Sequence, residues 1–416
     1  MATTSDPVVQ SSTGLRGLVL RLHFYAGVLV GPFVLIAAVT GVLHASTPQL
    51  ESWLYHGVLS VPISARALPL AEQVRAARAV DPAGAVTAVR PAPEPGATTR
   101  VLFSEPGLGD SERRAVFVDP GTGRVTGTLV AYGRNGVLPL RTALGRLHRD
   151  LLLGEPGRLY SRLAASWLWV VVLGGAALWL TRSSARPATG GRRAHGVVGM
   201  WVLTGALVLS VTGLACSASG DDAPPSRAGA RTADASRVDA VLGSARAAGI
   251  GAGAVEIELP EAAGAPWKVS DVGRGFDAVA VDGASGAVVG SRRFADYPLA
   301  AKVARWGVDA HTGVLFGWPN QVLLLVVGLG LVALVVLGYR MWWRRRPVRA
   351  TAWSFGRPIA RGQWRKAPTS AVVGLLVVGG TIGWFVPLLG ASLAAFLVVD
   401  VLLGARARRV LNRGRP

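Results

Sequence analysis

Four long apolar runs constrain this chain more than any other feature of its sequence. They cover residues 24–43, 163–181, 196–215 and 320–339. Each run reaches the length of about 18 residues that a helix needs to cross a bilayer. Half of all residues are hydrophobic and the mean hydropathy is +0.40, which excludes an ordinary soluble protein. The sequence therefore predicts a membrane bundle of α-helices.

The net charge of +20 is placed where it would orient such a bundle rather than bind nucleic acid. Segments 1–22, 182–194, 340–368 and 400–416 hold 20 of the 44 Lys and Arg residues but only two of the 24 acids. These segments alternate with the rest of the chain across the spans, as the positive-inside rule requires. We therefore predict that both termini are cytoplasmic and that nucleic acid is not a partner.

The charges and apolar runs together divide the chain into segments. The predicted order is a cytoplasmic N-terminus 1–22, a span 23–45, an extracytoplasmic module 46–160, a span 161–181, a cytoplasmic loop 182–194, a span 195–216, a second extracytoplasmic module 217–318, a span 319–343, a basic cytoplasmic loop 344–369, a short two-span hairpin 370–405 and a basic cytoplasmic tail 406–416. Each external segment has one helical stretch followed by alternating strands around Gly-rich turns, which is typical of a small α+β module.

The two halves of the chain repeat each other. His148 and His311 are 163 positions apart, and so are Asp119 and Asp282. In the outward spans, His23 and His195 are each followed by Gly at the fourth position and later by V-T-G, at 39–41 and 211–213. We interpret the four core spans as an internal duplication in which each half is a span, a module and a second span.

Four of the six histidines occupy equivalent positions in the two halves. His23 and His195 begin the outward spans near the cytoplasm, and we call them the inner pair. His148 and His311 precede the inward spans, and we call them the outer pair. Two imidazoles from opposing helices are the ligand set of a b-type haem, so the pattern predicts two haems. A single histidine at a helix end often only caps carbonyls, but ionisable residues repeated at membrane depth are usually functional.

The remaining histidines and the single cysteine add less. His44 ends the first span near the outer pair and is a second-choice outer ligand, because its repeat equivalent is Cys216. His56 is predicted to be an external surface residue. One cysteine excludes an intramolecular disulfide and a cysteine-based metal cluster. No catalytic residue can be named from the sequence.

Several segments resemble the PepSY-associated transmembrane family. They are RLHFYAGVLVGPFVLIAAVTGVLHAS, LGRLHRDLLLGEPGRLYS, RAHGVVGMWVLTGALVLSVTGL and DAHTGVLFGWPNQ, and VFVDPGTGRV resembles a PepSY-type domain. The resemblance covers roughly residues 15–347. It implies a bacterial inner-membrane protein, two PepSY-like modules, and haem ligands at His23, His148, His195 and His311. It also implies iron acquisition through reduction of a ferric siderophore.

Two functions are compatible with these features. The first is a haem-dependent transmembrane oxidoreductase of the ferric reductase type, which passes electrons to a ferric siderophore or chelate. No nucleotide-binding motif is present, so its donor would be a quinol or a cytoplasmic reductase. The alternative is a non-enzymatic membrane scaffold whose PepSY-like modules bind or inhibit an extracytoplasmic peptidase or wall enzyme.

Overall fold

A computed structural model describes residues 7–109, 111–133, 136–182, 190–218, 234–251, 253–272, 277–344 and 367–413. The predicted cytoplasmic loops 182–194 and 344–369 lie largely outside these residues. The chain divides into two compact units. The membrane unit consists of residues 1–45, 146–218 and 310–416, and the sheet unit consists of residues 46–145 and 219–309.

The described residues form twelve α-helices and eight strands. The helices are α1 (Pro7–Ala45), α2 (Thr47–Leu54), α3 (His56–Leu59), α4 (Leu70–Val80), α5 (Pro139–Asp150), α6 (Glu155–Leu180), α7 (Gly190–Ala218), α8 (Val238–Ala247), α9 (Leu299–His311), α10 (Trp318–Trp343), α11 (Thr369–Phe385) and α12 (Pro387–Arg413). The strands are β1 (Ala85–Arg90), β2 (Thr99–Ser104), β3 (Glu112–Val118), β4 (Val125–Tyr132), β5 (Val255–Glu258), β6 (Trp267–Asp271), β7 (Ala278–Val281) and β8 (Val288–Arg292).

Among its described residues, the membrane unit contains five helices that are long and apolar enough to cross a bilayer. They are Gly14–Ala45 of α1, all of α6, Gly190–Ser217 of α7, all of α10 and Pro387–Arg406 of α12. Their outward faces expose Leu, Val and Trp side chains, including Leu29, Trp201 and Leu323, as lipid-facing surfaces do. The chain is therefore a multi-pass membrane protein, as the apolar runs predict.

Four of these helices form a closed ring. α1 packs against α6 and α10, and α7 packs against the same two helices. Consequently α1 faces α7, and α6 faces α10, across the centre of the ring. Hydrogen bonds connect neighbours: Ser210 on α7 donates to the Ala165 carbonyl on α6 at 2.6 Å, and Tyr339 on α10 donates to the Val28 carbonyl on α1 at 2.6 Å.

Two of the ring helices begin in the same way. Gly154 precedes α6 with φ 66° and ψ −139°, and Gly317 precedes α10 with φ 65° and ψ −134°. Residues other than glycine rarely adopt this backbone conformation, so both positions require glycine. A proline follows two residues later in each helix, where its missing N–H costs nothing. These local requirements explain the Gly-x-Pro that the sequence places after both outer-pair histidines.

The last two helices form a hairpin attached to the ring. Pro387 begins α12 directly after α11, at the interruption that the sequence indicates. α12 packs against α6, where the Trp167 indole donates a hydrogen bond to the Ser392 hydroxyl at 2.8 Å. α11, at 17 residues, is shorter than the five candidate spans.

The sheet unit joins the two external segments that the sequence predicts as small α+β modules. Its strands form one antiparallel sheet in the order β4-β3-β2-β1-β5-β6-β7-β8. The two segments join where Val89 of β1 pairs with Ile257 of β5. α4 and α8 cover one face, burying a core that includes Val74, Phe103 and Val241. Edge strands with free backbone groups pair readily, which explains why the two four-stranded sheets are continuous.

Charged side chains reinforce this junction. The Asp239 carboxylate on α8 accepts hydrogen bonds from the backbone N–H groups of Leu70 and Ala71, at 2.8 and 2.9 Å, and so caps α4. On β5, Glu256 is buried and forms ion pairs with Arg90 of β1 and Arg113 of β3. Each contact connects residues from the two external segments, so neither segment is complete alone.

Candidate functional site

The structure brings the inner pair together across the ring. His23 lies on α1 and His195 on α7, the two helices that face each other. Their ring centroids are 6.3 Å apart and the ring planes are nearly perpendicular, at 79°. Two residues separated by 172 positions in the sequence therefore present imidazoles to one point in the bundle.

The outer pair also meets, and its two histidines lie on the helices that precede α6 and α10. His148 lies in the last turn of α5, and His311 is the last residue of α9. Their ring centroids are 6.2 Å apart and the interplanar angle is 40°. His44 on α1 is a third member of this group. Its ring is nearly parallel to that of His148, with centroids 6.4 Å apart. By distance alone, His148 has two candidate partners.

Two threonines fix the tautomers of the outer pair. Thr40 donates its hydroxyl proton to the Ile36 carbonyl at 2.7 Å, and Thr212 donates to the Val208 carbonyl at 2.7 Å. Each hydroxyl oxygen is then an acceptor for the Nδ1–H of a histidine, His148 at 3.0 Å and His311 at 2.9 Å. With the proton on Nδ1, the lone pair of Nε2 is available for a metal.

The inner pair has a related arrangement. Nδ1 of His23 lies 2.9 Å from the Val171 carbonyl, which can only accept, so this nitrogen also carries the proton. His195 lies beside the backbone of Leu334, 163 positions after Val171, but its Nδ1 has no hydrogen-bond partner among the described residues. Ligating histidines commonly donate their second N–H in this way, which sets the ring orientation and raises ligand basicity.

Glycines line all four rings at their Cε1 edge. A Cβ atom added at Gly175 would lie 3.1 Å from Cε1 of His23, and one at Gly338 would lie 3.8 Å from Cε1 of His195. The corresponding distances are 3.2 Å from Gly41 to His148 and 3.5 Å from Gly213 to His311. The glycines of the inner pair lie on α6 and α10, and those of the outer pair lie on α1 and α7. Each glycine is therefore on a different helix from the histidine that it contacts. A side chain would therefore crowd the imidazole at Gly175 and Gly41, whereas at Gly338 and Gly213 it would make an ordinary contact.

Burial keeps the outer imidazoles neutral. It lowers the pKa of His148, and burial reinforced by the neighbouring His148 lowers the pKa of His311 to about 4. A neutral ring is the form that binds a metal. By contrast His56, in the sheet unit, is exposed.

The sequence did not assign roles to the threonines and glycines. The V-T-G at 39–41 and 211–213 was visible as a repeat, and the structure shows that its Thr and Gly contact His148 and His311. Gly175 and Gly338 are also 163 positions apart. Their repetition at offsets of 172 and 163 positions was the sequence signal that marked these residues.

A sequence profile of the family described as PepSY-associated TM region matches residues 20–345. The chain belongs to this family. No curated protein matches the chain. The PepSY-associated TM region contains both histidine pairs, His44 and all eight strands, whereas the hairpin of α11 and α12 follows its last matched residue.

Proposed function

We propose that this protein is a haem-dependent oxidoreductase that moves electrons across a bacterial inner membrane to an extracytoplasmic ferric siderophore or ferric chelate. The observation that carries the proposal is the presence of two histidine pairs, one on the facing helices α1 and α7 and the other on α5 and α9, with centroids 6.3 and 6.2 Å apart. Two haems b would be held, one by His23 and His195 and the other by His148 and His311.

The spacing of the rings fits coordination of one metal by each pair. A histidine nitrogen binds a metal at about 2.0–2.1 Å, and the ring centre lies ~1.1 Å behind that nitrogen, so two imidazoles that share one metal would have centroids no more than about 6.2–6.3 Å apart. Both pairs have this separation. The tautomers inferred for His23, His148 and His311 leave Nε2 as the donor in each ring.

Open space beside His23 of the inner pair also suits a flat macrocycle. Gly27 lies one turn after His23 on α1. A Cβ atom added at Gly27 would have no atom of a neighbouring described residue within 4 Å. Apolar residues of the four helices, among them Ala206 and Val327, surround the centre of the ring. Such a core excludes water and has a low dielectric constant.

The polypeptide contributes position and protonation state to this chemistry. When bound, haem supplies a reversible one-electron ferric/ferrous couple. The Thr40 and Thr212 hydroxyls and the Val171 carbonyl orient the imidazoles and increase their basicity. On α1, 18 residues separate His23 from Gly41, which is about 27 Å of helix and close to the thickness of the hydrocarbon core. One pair would therefore lie near each membrane surface.

The orientation and partners of this oxidoreductase are part of the proposal. The basic segments favour cytoplasmic N- and C-termini. The inner pair would accept electrons from a quinol or a cytoplasmic reductase, and the outer pair would deliver them to the acceptor. The sheet unit would correspond to two PepSY-like modules that hold or screen that acceptor.

The repeated contacts support an internal duplication as the origin of this arrangement. The Thr–His and Gly–His contacts of the two halves correspond at offsets of 172 and 163 positions. The strand order of the sheet is likewise symmetric about the β1–β5 junction.

The test is a measurement of bound haem. The protein would be produced in haem-replete cells, purified in detergent, and assayed by pyridine haemochrome and reduced-minus-oxidised spectra. We expect two b-type haems per chain, and one in each of His23→Ala, His195→Ala, His148→Ala and His311→Ala. His56→Ala, which changes an exposed histidine, is the matched control and should retain both. Complete absence of haem would overturn the proposal and leave the scaffold function.

A further inference from the structure

One face of α9 is both apolar and exposed. Leu299, Val303 and Trp306 lie at positions i, i+4 and i+7 of this helix, so their side chains share one face. They are 71, 56 and 43% exposed, respectively. We call these three residues the α9 stripe. An amphipathic helix of a soluble protein buries such a stripe against the core, so the exposure of this one indicates different surroundings.

The polar side chains of α9 are engaged by protein groups instead. The Lys302 ammonium donates a hydrogen bond to the Ala295 carbonyl. Arg305 forms an ion pair with Asp309 at 3.2 Å, and the Asp309 side chain is buried. Helix α9 thus exposes its apolar face and keeps its charged groups in contact with protein, the reverse of a helix that faces water. This orientation is expected where the exposed face meets an apolar medium.

The end of α9 is fixed at the point where a span begins. Nδ1 of His311, the last residue of α9, lies 2.9 Å from the Thr212 hydroxyl on α7. The Asn320 side chain on α10 donates to the Ala310 carbonyl at 2.9 Å. These four residues belong to the membrane unit, and α10 begins at Trp318, seven positions after His311. The last turn of α9 therefore lies where α10 enters the bilayer.

The corner between α9 and α10 is apolar and exposed as well. Val314, Phe316 and Trp318 are all exposed, and further exposed residues such as Leu323 follow on the lipid-facing side of α10. Tryptophan is enriched where a membrane meets water, and one tryptophan lies on the α9 stripe and another at the start of α10. Along the chain, exposed apolar side chains thus continue from the lipid-facing surface of α10 through the corner to the α9 stripe.

We propose that the α9 stripe inserts into the bilayer surface at the leaflet where α10 begins, which makes α9 an interfacial helix. The bilayer is the occupant, rather than a soluble protein or a second copy of the chain, because α9 is joined to a helix whose exposed face contacts lipid. Interfacial helices of this kind bury their apolar face about 5–10 Å into the boundary between headgroups and acyl chains. The contact requires neither haem nor an electron acceptor, so it goes beyond the proposed oxidoreductase.

The corresponding helix of the first half lacks this stripe. The positions 163 residues before Val303 and Trp306 are Leu140, which is half-buried, and Ala143, which is exposed but small. Arg146 is also exposed on α5. Helix α5 therefore presents a small residue and a charge, as a helix in contact with water does, and it serves as an internal control.

Fluorescence quenching tests where the α9 stripe lies. In a Cys216→Ser background, Val303→Cys or Ala143→Cys would be labelled with nitrobenzoxadiazole in the full-length protein, in nanodiscs that hold one chain each. We expect lipids brominated near the start of the acyl chain to quench the label of Val303→Cys several-fold more than that of Ala143→Cys. Iodide in the water should quench the two labels in the opposite order. Ratios to unbrominated lipid cancel any quenching by haem, and both positions are exposed, so the label does not disturb packing.

A charge placed on the stripe gives the second test. With the label at Leu299→Cys, the further change Val303→Asp should remove most of the quenching by brominated lipid, because a charged side chain is costly in an apolar medium. Val303→Leu, the matched control, should retain it. Equal iodide quenching of Val303→Cys and Ala143→Cys, or lipid quenching that Val303→Asp leaves unchanged, would overturn the proposal. Protection from iodide that appears only in crowded liposomes, and not in single-chain nanodiscs, would assign the stripe to a second copy and would also overturn it.

Discussion

The two halves of the chain hold their outer histidines alike but surround them differently. In the first half Thr40 and Gly41 contact His148, and in the second half Thr212 and Gly213 contact His311. One turn further along the helix, position 44 is a histidine stacked on His148, whereas the equivalent position 216 is a cysteine. A contact with one threonine and one glycine is therefore common to both outer histidines. His44 is an additional histidine that only the first half has.

The helix corners behind these histidines differ as well. In the first half the Tyr160 hydroxyl donates to the His148 carbonyl, whereas in the second half the Asn320 amide donates to the Ala310 carbonyl at 2.9 Å. The first corner turns through Leu151 at φ 54° and Leu152 at φ 62°, but the second turns at Gly313 with φ 81°. Left-handed leucines cost about 1–2 kcal/mol each, so the first corner retains strain that the second avoids.

The largest expected effect concerns which histidine, His311 or His44, binds the outer haem together with His148. His311→Ala should remove the outer haem, and His44→Ala should leave it bound, because Thr212 orients His311 as Thr40 orients His148. Haem content and redox difference spectra would be measured for both variants. Retention in His311→Ala with loss in His44→Ala would assign the ligand to His44 and break the equivalence of the halves.

The second prediction concerns the junction of the halves in the sheet unit. Glu256→Gln should reduce the stability of the β1–β5 junction by about 3–5 kcal/mol, because Arg90 and Arg113 would lose a buried charge partner. Glu258→Gln is the matched control on the same strand. Its ion pair with Lys268 at 2.6 Å is partly exposed, so the loss should be about 0–1 kcal/mol.

Hydrogen exchange of the Val89 and Ile257 amides would measure this effect in the full-length protein. These residues pair directly across the junction. Faster exchange on both strands in Glu256→Gln is expected. Equal exchange rates in the two variants would mean that the two halves of the sheet do not depend on this ion cluster.

The sequence predicted the parts of this structure that depend on local pattern. Apolar length located the helices of the membrane unit, and alternation with Gly-rich turns located hairpins such as that at Asp119. The single sheet was not predicted, because the pairing of Val89 with Ile257 joins strands 168 positions apart and no local signal encodes that register. The attachment of the hairpin to the ring was also missed, since the contact of Trp167 with Ser392 depends on how the hairpin packs.

The third prediction tests whether the shared threonines serve the two outer histidines equally. Thr40→Val and Thr212→Val should each weaken outer haem binding about 10–100-fold, the usual cost of losing a hydrogen bond to a ligating histidine. Thr40→Ser should restore binding because it retains the hydroxyl. Haem dissociation to apomyoglobin would give the rates. Unchanged rates in both valine variants would show that helix packing alone orients the rings.

The smallest expected effect comes from the glycines of the inner pair, where the halves differ in tightness. In Gly175→Ala the new methyl would lie 3.1 Å from Cε1 of His23, which cannot retreat easily because its Nδ1 is held by the Val171 carbonyl. In Gly338→Ala the distance to His195 is 3.8 Å, an ordinary contact. Overpacking of this kind costs about 1 kcal/mol or slightly more, so Gly175→Ala should lower the occupancy of the inner haem several-fold while Gly338→Ala remains near wild type. The occupancy of both variants would be read from the inner-haem absorbance. An equal loss in both would mean that His195 is held as firmly as His23, by a contact that forms only when haem is bound.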